Sequence, residues 1–269
     1  MDRSVRALRS QGAMSTSSRT DLFAGIRQVA VGTAAGPVAL PILYRDGSLL
    51  VVGYRIDPAR ASSALAGLAL EPLVTLGRAL VLLSMFEYRD TSIGPYNEIG
   101  IALLAQRAGT APSTWRLLRD ARQVLDAGLY VTNLPVTTPV ACSAGVEIWG
   151  YPKYVTGIAT DFRADGVTVT LENEFVLTHS RRYGLEVAGV PMITYTSKSG
   201  RLIRTVTEVG HRMRFGGAGT VELKIIGDGP TAATLRALGL DAARPAFAMR
   251  TDAVQAVLPF GKDIGAAGT

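Results

Sequence analysis

The sequence predicts an α+β domain: one large antiparallel β-sheet that closes barrel-like, with a few short helices. Three observations point there. Most of the chain consists of short runs rich in Val, Ile, Thr, Tyr and Leu, separated by turn residues. At least two pairs of these runs are joined by hairpin-type turns. Helical signals are few and short, and two of them open with a capping residue followed by proline. There is no internal repeat and no linker-like stretch. Residues 26–269 therefore read as a single domain. Residues 1–25 read as a Ser/Arg-rich disordered segment, within which Met14 is an alternative start.

The elements follow in order. LLVVGYRI (49–56) is a strand ending at Asp57-Pro58, which opens a helix over 58–67 closed by Gly67. ALVLLSMFEYRD (79–90) is a buried strand turning amphipathic. TSIGPYNEIGIALLA (91–105) is a turn at Gly94-Pro95 and then a strand. Within 107–127, Leu117, Leu118, Ala121, Val124 and Leu125 have helical spacing. LYVTNLPV (129–136) is a strand, and Thr138-Pro139 opens a helix to about Trp149. YVTGIATDF and VTVTLENE form a hairpin around Asp165-Gly166, and PMITYTS and RLIRTVTEV form another around KSG. VELKIIG is a strand, TAATLRALG a short helix, and PAFAMRTDAVQAVLPFG a final strand region.

Composition excludes several function classes. The net charge is +6, but the arginines are scattered singly or in pairs such as Arg181-Arg182, without a basic run or aromatic stripe, so nucleic-acid binding is not expected. The longest uncharged runs, 28–44 and 129–146, are broken by Gly, Pro, Thr and Asn and do not suit a membrane span. Two histidines, His179 and His211, and one cysteine, Cys142, make a His/Cys metal site improbable, and no metal is expected. The single cysteine fits a reducing, cytoplasmic setting. No nucleophile elbow or phosphate loop is present, and GGAGT (216–220) reads as a loop.

The chemistry concentrates in GVEIWGYPKYVTG (145–157). Lys153 is one of four lysines in a chain with 24 arginines (28 basic residues less 4). It stands among Trp149, Tyr151, Pro152, Tyr154 and Val155. An arginine cannot lose its proton, whereas a lysine can. A free lysine titrates near about 10.4, so bringing it to neutrality costs the ammonium roughly 5–6 kcal/mol, which burial among aromatics can supply. The competing reading is a lysine that snorkels out along Tyr151. A second stretch, SIGPYNEIG (92–100), places Tyr96 and Glu98 two apart, on the same face of a strand. A carboxyl on the inner face of an apolar sheet is costly unless used or paired.

Together the elements Gly94-x-Tyr96-x-Glu98 and Glu147-x-x-x-Tyr151-Pro152-Lys153 resemble the acetoacetate decarboxylase family. The tail TVELKIIGDGPTAATLRALGL and the closing AVLPFG are similar to its C-terminal part. The resemblance implies a sheet closed around a cavity, a homo-oligomer, no cofactor and a small oxo acid as substrate. It implies Lys153 as the Schiff-base nucleophile, Glu98 as the acidic catalytic residue and Tyr96 as a cavity wall. Trp149, Tyr151 and Tyr154 are expected to line the substrate site. Ser84 stands where the family carries a glutamate, with Glu87 and Arg89 nearby as candidates to meet substrate. Two departures stand out. Tyr154 occupies the place of a second lysine found in the family's decarboxylases. Arg45 lies about two residues from the place of an arginine that meets the substrate carboxylate. The activity implied is decarboxylation of a β-keto acid. The alternatives are aldolase-dehydratase or cyclase chemistry on a 2-oxo acid such as pyruvate, or a non-catalytic binding protein on the same fold.

Overall fold

The computed structural model describes residues 21–109, 127–180, 184–217 and 220–268. The helix expected within 107–127 and the first twenty residues lie outside them. In chain order the first strands are Val29–Val31 (β1), Val38–Leu40 (β2) and Ile42–Ile56 (β3). Helix Pro58–Ala64 (α1) follows, then Leu70–Pro72 (β4), Ala79–Thr91 (β5), Tyr96–Arg107 (β6) and Ala127–Asn133 (β7). Helix Pro139–Ala144 (α2) runs into a π-helical turn, Gly145–Trp149. Next come Ile158–Phe162 (β8), Val167–Leu171 (β9), Phe175–His179 (β10), Glu186–Ala188 (β11), Met192–Lys198 (β12) and Arg201–Val209 (β13). Arg212–Gly217 (β14), Val221–Ile225 (β15), helix Pro230–Ala237 (α3), Pro245–Thr251 (β16), Ala256–Leu258 (β17) and Lys262–Ala266 (β18) complete the chain.

Seven strands close a ring in the order β3, β5, β6, β7, β12, β13, β17 and back to β3. The fold is thus the α+β, barrel-like closure expected, with one refinement. The β7–β12 pair is parallel, while the other six pairs of the ring are antiparallel. The long excursion between β7 and β12, through α2 and a second sheet, supplies the crossover that a parallel pair needs. The outer half of β3 pairs with β16, which carries β14 and β11 outward. A separate four-stranded sheet has the order β15-β10-β9-β8.

Local signals place the helices. Asp57 accepts a hydrogen bond from the Ala59 N–H at 2.8 Å and Pro58 follows it, so α1 starts where expected. It ends at Ala64, before Gly67, whose φ is +76°. Thr138 caps α2 and Pro139 follows, but the helix widens into its π-helical turn before Trp149 and stops at Gly150, at φ +70°. In the β12–β13 hairpin Ser199 and Gly200 both have positive φ, the geometry whose twist matches a two-residue turn.

Strand β3 begins upstream of the expected LLVVGYRI and passes straight through Asp46-Gly47, a dipeptide that usually turns. The pairing with β5 shifts register there. The extra residue moves the inward parity from even to odd: Ile42 and Tyr44 share one core with Leu49 and Val51, while Leu50, Val52 and Tyr54 face another. That second core fills the space between β3, β5 and β6 and the layer formed by the four-stranded sheet, α1 and the segment after α3. The first core lies on the opposite face, within the ring, and is rich in tyrosine. A Cβ on Gly47 would stand 2.6 Å from the Glu87 carbonyl oxygen, a backbone atom that cannot swing away. Gly47→Val is therefore expected to cost about 1–3 kcal/mol of stability in urea denaturation, the usual range for overpacking. A loss below about 0.5 kcal/mol would mean that the bulge tolerates a side chain.

Candidate active site

Two backbone tracks carry the reactive side chains, and a third binds them together. Segment 134–137 lies between β6 and residues 152–156. On one side the Ile99 N–H donates to the Pro135 carbonyl at 3.1 Å, and the Thr137 N–H to the Asn97 carbonyl at 3.1 Å. On the other, Leu134 N–H donates to Pro152 at 3.1 Å, Val136 N–H to Tyr154 at 2.9 Å and Thr156 N–H to Val136 at 3.0 Å. Val136 thus bridges Glu98 on one flank and Val155 on the other. Pro152 is the centre of a tight turn closed by the Lys153 N–H to the Tyr151 carbonyl at 2.8 Å, for which its fixed φ is suited.

The stem of Lys153 lies flat against Gly145, where a Cβ would come within 2.4 Å of Cδ and 2.5 Å of Cε. The π-helical turn that presents Gly145 is closed by Lys198, whose ammonium donates to the carbonyls of Glu147 and Ile148. Its last carbonyl, that of Trp149, accepts from the Thr196 hydroxyl at 2.5 Å. Lys153 then delivers Nζ to within 2.5 Å of Glu98 Oε2, with side chains only 6% and 9% exposed. The ammonium also lies 5.7 Å from the centre of the Tyr96 ring and 5.9 Å from that of Tyr151.

Around this pair is a wall of phenols. Tyr88 packs against Tyr44 (4.5 Å between ring centres), Tyr96 (4.9 Å) and Phe86 (5.0 Å). The Tyr44 and Tyr96 hydroxyls lie 3.1 Å apart, and the Tyr151 hydroxyl lies 2.7 Å from Thr194 Oγ1. Burial, followed by the negative field of Glu98, holds Tyr44, Tyr88 and Tyr96 well above the ordinary phenol range. Tyr151 is pushed up to about 12, by burial first, with the Thr194 hydrogen bond opposing and Glu98 adding. These hydroxyls are neutral hydrogen-bonding groups at physiological pH and not bases.

The structure brings together Lys153, Glu98, Tyr96 and Tyr151 among the residues singled out from the sequence. Trp149 stands one layer back: its ring centre is 6.2 Å from that of Tyr151 and its indole N–H donates to the Pro259 carbonyl at 2.9 Å. Tyr154 turns away from the amine. Its hydroxyl donates to buried Glu174 at 2.7 Å and shares a hydrogen bond with Thr231 at 2.6 Å. The chain is extended there, so consecutive side chains point to opposite sides. The same alternation separates Glu87 and Arg89 from the site, because Phe86 and Tyr88 take the inward positions of β5. Arg89 is instead clasped by Asp46 (2.7 and 2.9 Å) and also meets Ser48 at 2.7 Å and Glu87 at 3.3 Å. Glu147 of the second motif is exposed and accepts from the Ala34 N–H at 3.1 Å and from the Ser143 hydroxyl, tying the β1–β2 turn to the π-helical turn. Sequence reasoning missed Tyr44, Phe86, Tyr88, Thr194 and Gly145. The alternation Phe86-x-Tyr88 was available as a signal, whereas Tyr44 depends on the bulge and Gly145 on a contact eight residues away. Among the described residues no three His, Cys, Asp or Glu side chains cluster to hold a metal, and no helix is long and apolar enough to cross a membrane.

The model of the family described as acetoacetate decarboxylase matches residues 30–206, a span that holds both motifs. The chain belongs to the acetoacetate decarboxylase family. Its fold is similar to that of the acetoacetate decarboxylase of Legionella pneumophila (TM-score 0.61, 14% identity, 97% of this chain and 99% of that one). It is similar to a further acetoacetate decarboxylase (0.61, 18%, 84% and 90%). It is also similar to the enduracididine biosynthesis enzyme MppR (0.56, 15%, 84% and 88%). A comparison with curated proteins finds no match.

Two predictions test the electrostatics. Removing one partner of a buried ion pair strands the other charge, so Glu98→Ala is expected to cost about 3–5 kcal/mol. The double change Glu98→Ala with Lys153→Met should recover most of that loss in urea denaturation; a loss equal to the sum of the two single changes would mean that the pair is not coupled. The second concerns Tyr151. Its phenol titrates higher folded than unfolded, so its contribution is full below about pH 10 and is lost as pH rises toward 12. The denaturation midpoint should fall across that window, and Tyr151→Phe should make the fall shallower by one phenol's share, the rest coming from Tyr44, Tyr88 and Tyr96.

Proposed function

We propose that this chain is an imine-forming enzyme that makes or breaks a carbon–carbon bond next to the carbonyl of a small substrate. Lys153 is the nucleophile and Glu98 its partner in proton transfer. The observation that carries this reading is the 2.5 Å contact between Lys153 Nζ and Glu98 Oε2 inside an aromatic enclosure. Passing a proton along that contact leaves a neutral amine beside a carboxylic acid, which is what attack on a carbonyl carbon requires. Loss of water then gives an iminium, an electron sink for an adjacent bond. With a β-keto acid that bond would release CO2. With a 2-oxo acid the resulting enamine would add to an aldehyde, followed by dehydration or cyclisation. The structures of MppR with pyruvate, and with the condensation product of pyruvate and imidazole 4-carboxaldehyde, support this second chemistry on the same fold. The iminium itself supplies the electron sink, so the proposed chemistry calls for no organic cofactor. The reading is of a cytoplasmic homo-oligomer acting on a small molecule, with neither nucleic acid nor membrane as partner.

The test is reductive trapping. The protein is incubated separately with acetoacetate, pyruvate, a larger 2-oxo acid and a simple ketone, then reduced with borohydride and mapped by peptide mass. An adduct is expected on the peptide carrying Lys153 and should vanish in Lys153→Ala, which should stay folded. Glu98→Gln should lower turnover by about 10²–10⁴-fold, the range for a lost acid–base group, with a smaller effect on the trapped adduct. No adduct from any of these carbonyls, on folded protein, would replace the enzyme reading with a binding protein.

A further inference from the structure

Resting on the imine role of Lys153, we propose that the substrate it condenses with is uncharged, an aldehyde or ketone without a carboxylate, and that the bond next to the imine is cleaved or formed as an aldol bond.

The first argument is charge balance. Lys153 and Glu98 cancel one another at 2.5 Å. A substrate carboxylate entering beside them would be an unpaired anion among Tyr44, Tyr88, Tyr96, Tyr151 and Thr194, and burying an unpaired ion costs several kcal/mol even after relaxation.

The second argument is where the cations are. Among the described residues, the arginines near the two motifs and the barrel wall serve elsewhere. Arg45 pairs with Asp90 at 3.5 Å and Arg89 with Asp46 at 2.7 Å, both in exposed positions. Arg204 stands on the face of β13 opposite buried Thr205. Buried Arg250 pairs with Asp252 at 2.8 Å and lies over the Phe162 ring, against the four-stranded sheet. The side chain that follows Lys153 is Tyr154, bound to Glu174.

The third argument is what the enclosure offers instead. Neutral hydroxyls suit a carbonyl, hydroxyl or ether oxygen. The Thr207 hydroxyl is buried with no hydrogen-bond partner among the described residues. It alternates with Thr205, which hydrogen-bonds Tyr151, so both face the interior of the barrel. An orphaned hydroxyl there fits an uncharged oxygen that a ligand would bring.

The chemistry balances without a carboxylate. The amine nitrogen adds to the ketone carbon of a β-hydroxy ketone and water leaves, giving the iminium. The bond between the α and β carbons breaks and its electron pair enters the iminium, forming an enamine. The hydroxyl proton passes to the Glu98 carboxylate and a neutral aldehyde or ketone departs. The enamine carbon takes that proton back from Glu98, and water hydrolyses the iminium, restoring the amine. The site carries no net charge at any stage.

The experiment compares borohydride labelling of Lys153 by pyruvate with methyl pyruvate, and by acetoacetate with methyl acetoacetate. Each rate ratio is divided by that measured with Nα-acetyllysine, which removes the difference in intrinsic electrophilicity. The ester is expected to label Lys153 at least about tenfold faster after this correction, a conservative reading of the cost of an unpaired buried ion. An acid that labels as fast or faster overturns the inference and leaves the imine role standing. No labelling by either member of both pairs overturns both. Diacetone alcohol and larger neutral β-hydroxy ketones supply the second arm. Lys153-dependent release of the carbonyl fragment supports the aldol assignment, and no release from any of them overturns it.

Discussion

The site depends on one short contact between two charges that water has mostly left. Desolvating a carboxylate and an ammonium is costly, and their attraction offsets the loss only if geometry is held tightly. Here tightness comes from the backbone. Glu98 is fixed in a long strand, Lys153 in a three-residue turn, and the segment between them hydrogen-bonds to both tracks, through Pro135 and Thr137 on one side and Leu134 and Val136 on the other. Gly145 then lets the lysine stem lie flush against the π-helical turn, where any Cβ would displace it. The barrel is in this sense a clamp: its closure sets the distance between two residues 55 positions apart in the chain.

The scarcity of lysine acquires a physical meaning. The surface ion pairs with Asp46, Asp90, Glu186, Asp252 and Asp263 are all made by arginine, while Lys224 and Lys262 are exposed on strands. Lysine appears in two positions that a planar guanidinium would not fit. One is the narrow slot beside Gly145. The other is the end of the π-helical turn, where Lys198 brings a compact ammonium to two successive carbonyls. The second lysine thereby supports the element on which the first lies.

What the sequence made legible was local or periodic. Capping at Asp57 and Thr138, the Ser199-Gly200 turn and the same-face pairing of Tyr96 with Glu98 all arise within a few residues, and the structure contains each. What stayed hidden depends on register. Asp46-Gly47 is a turn in isolation, but here it is a bulge because β5 and β17 pair across it and beyond it. Glu87 and Arg89 lie close to the motif in sequence, yet one residue of strand parity puts them on the other face. The β7–β12 pair has no local signal, since parallel pairing is decided by where a long excursion returns.

Tyr154 shows how the same parity bears on chemistry. In an extended chain, the residue after the lysine cannot share the lysine's environment, and here it reaches Glu174, whose other carboxylate oxygen accepts from the Ala232 N–H at 2.7 Å in the first turn of α3. A cation substituted at that position would find a buried carboxylate before it found Nζ. The side chain at 154 therefore acts on the amine mainly by anchoring the backbone between the barrel and the second sheet. The charge state of the amine is left to the groups that face it: one carboxylate, four neutral phenols and whatever the substrate itself carries into the enclosure.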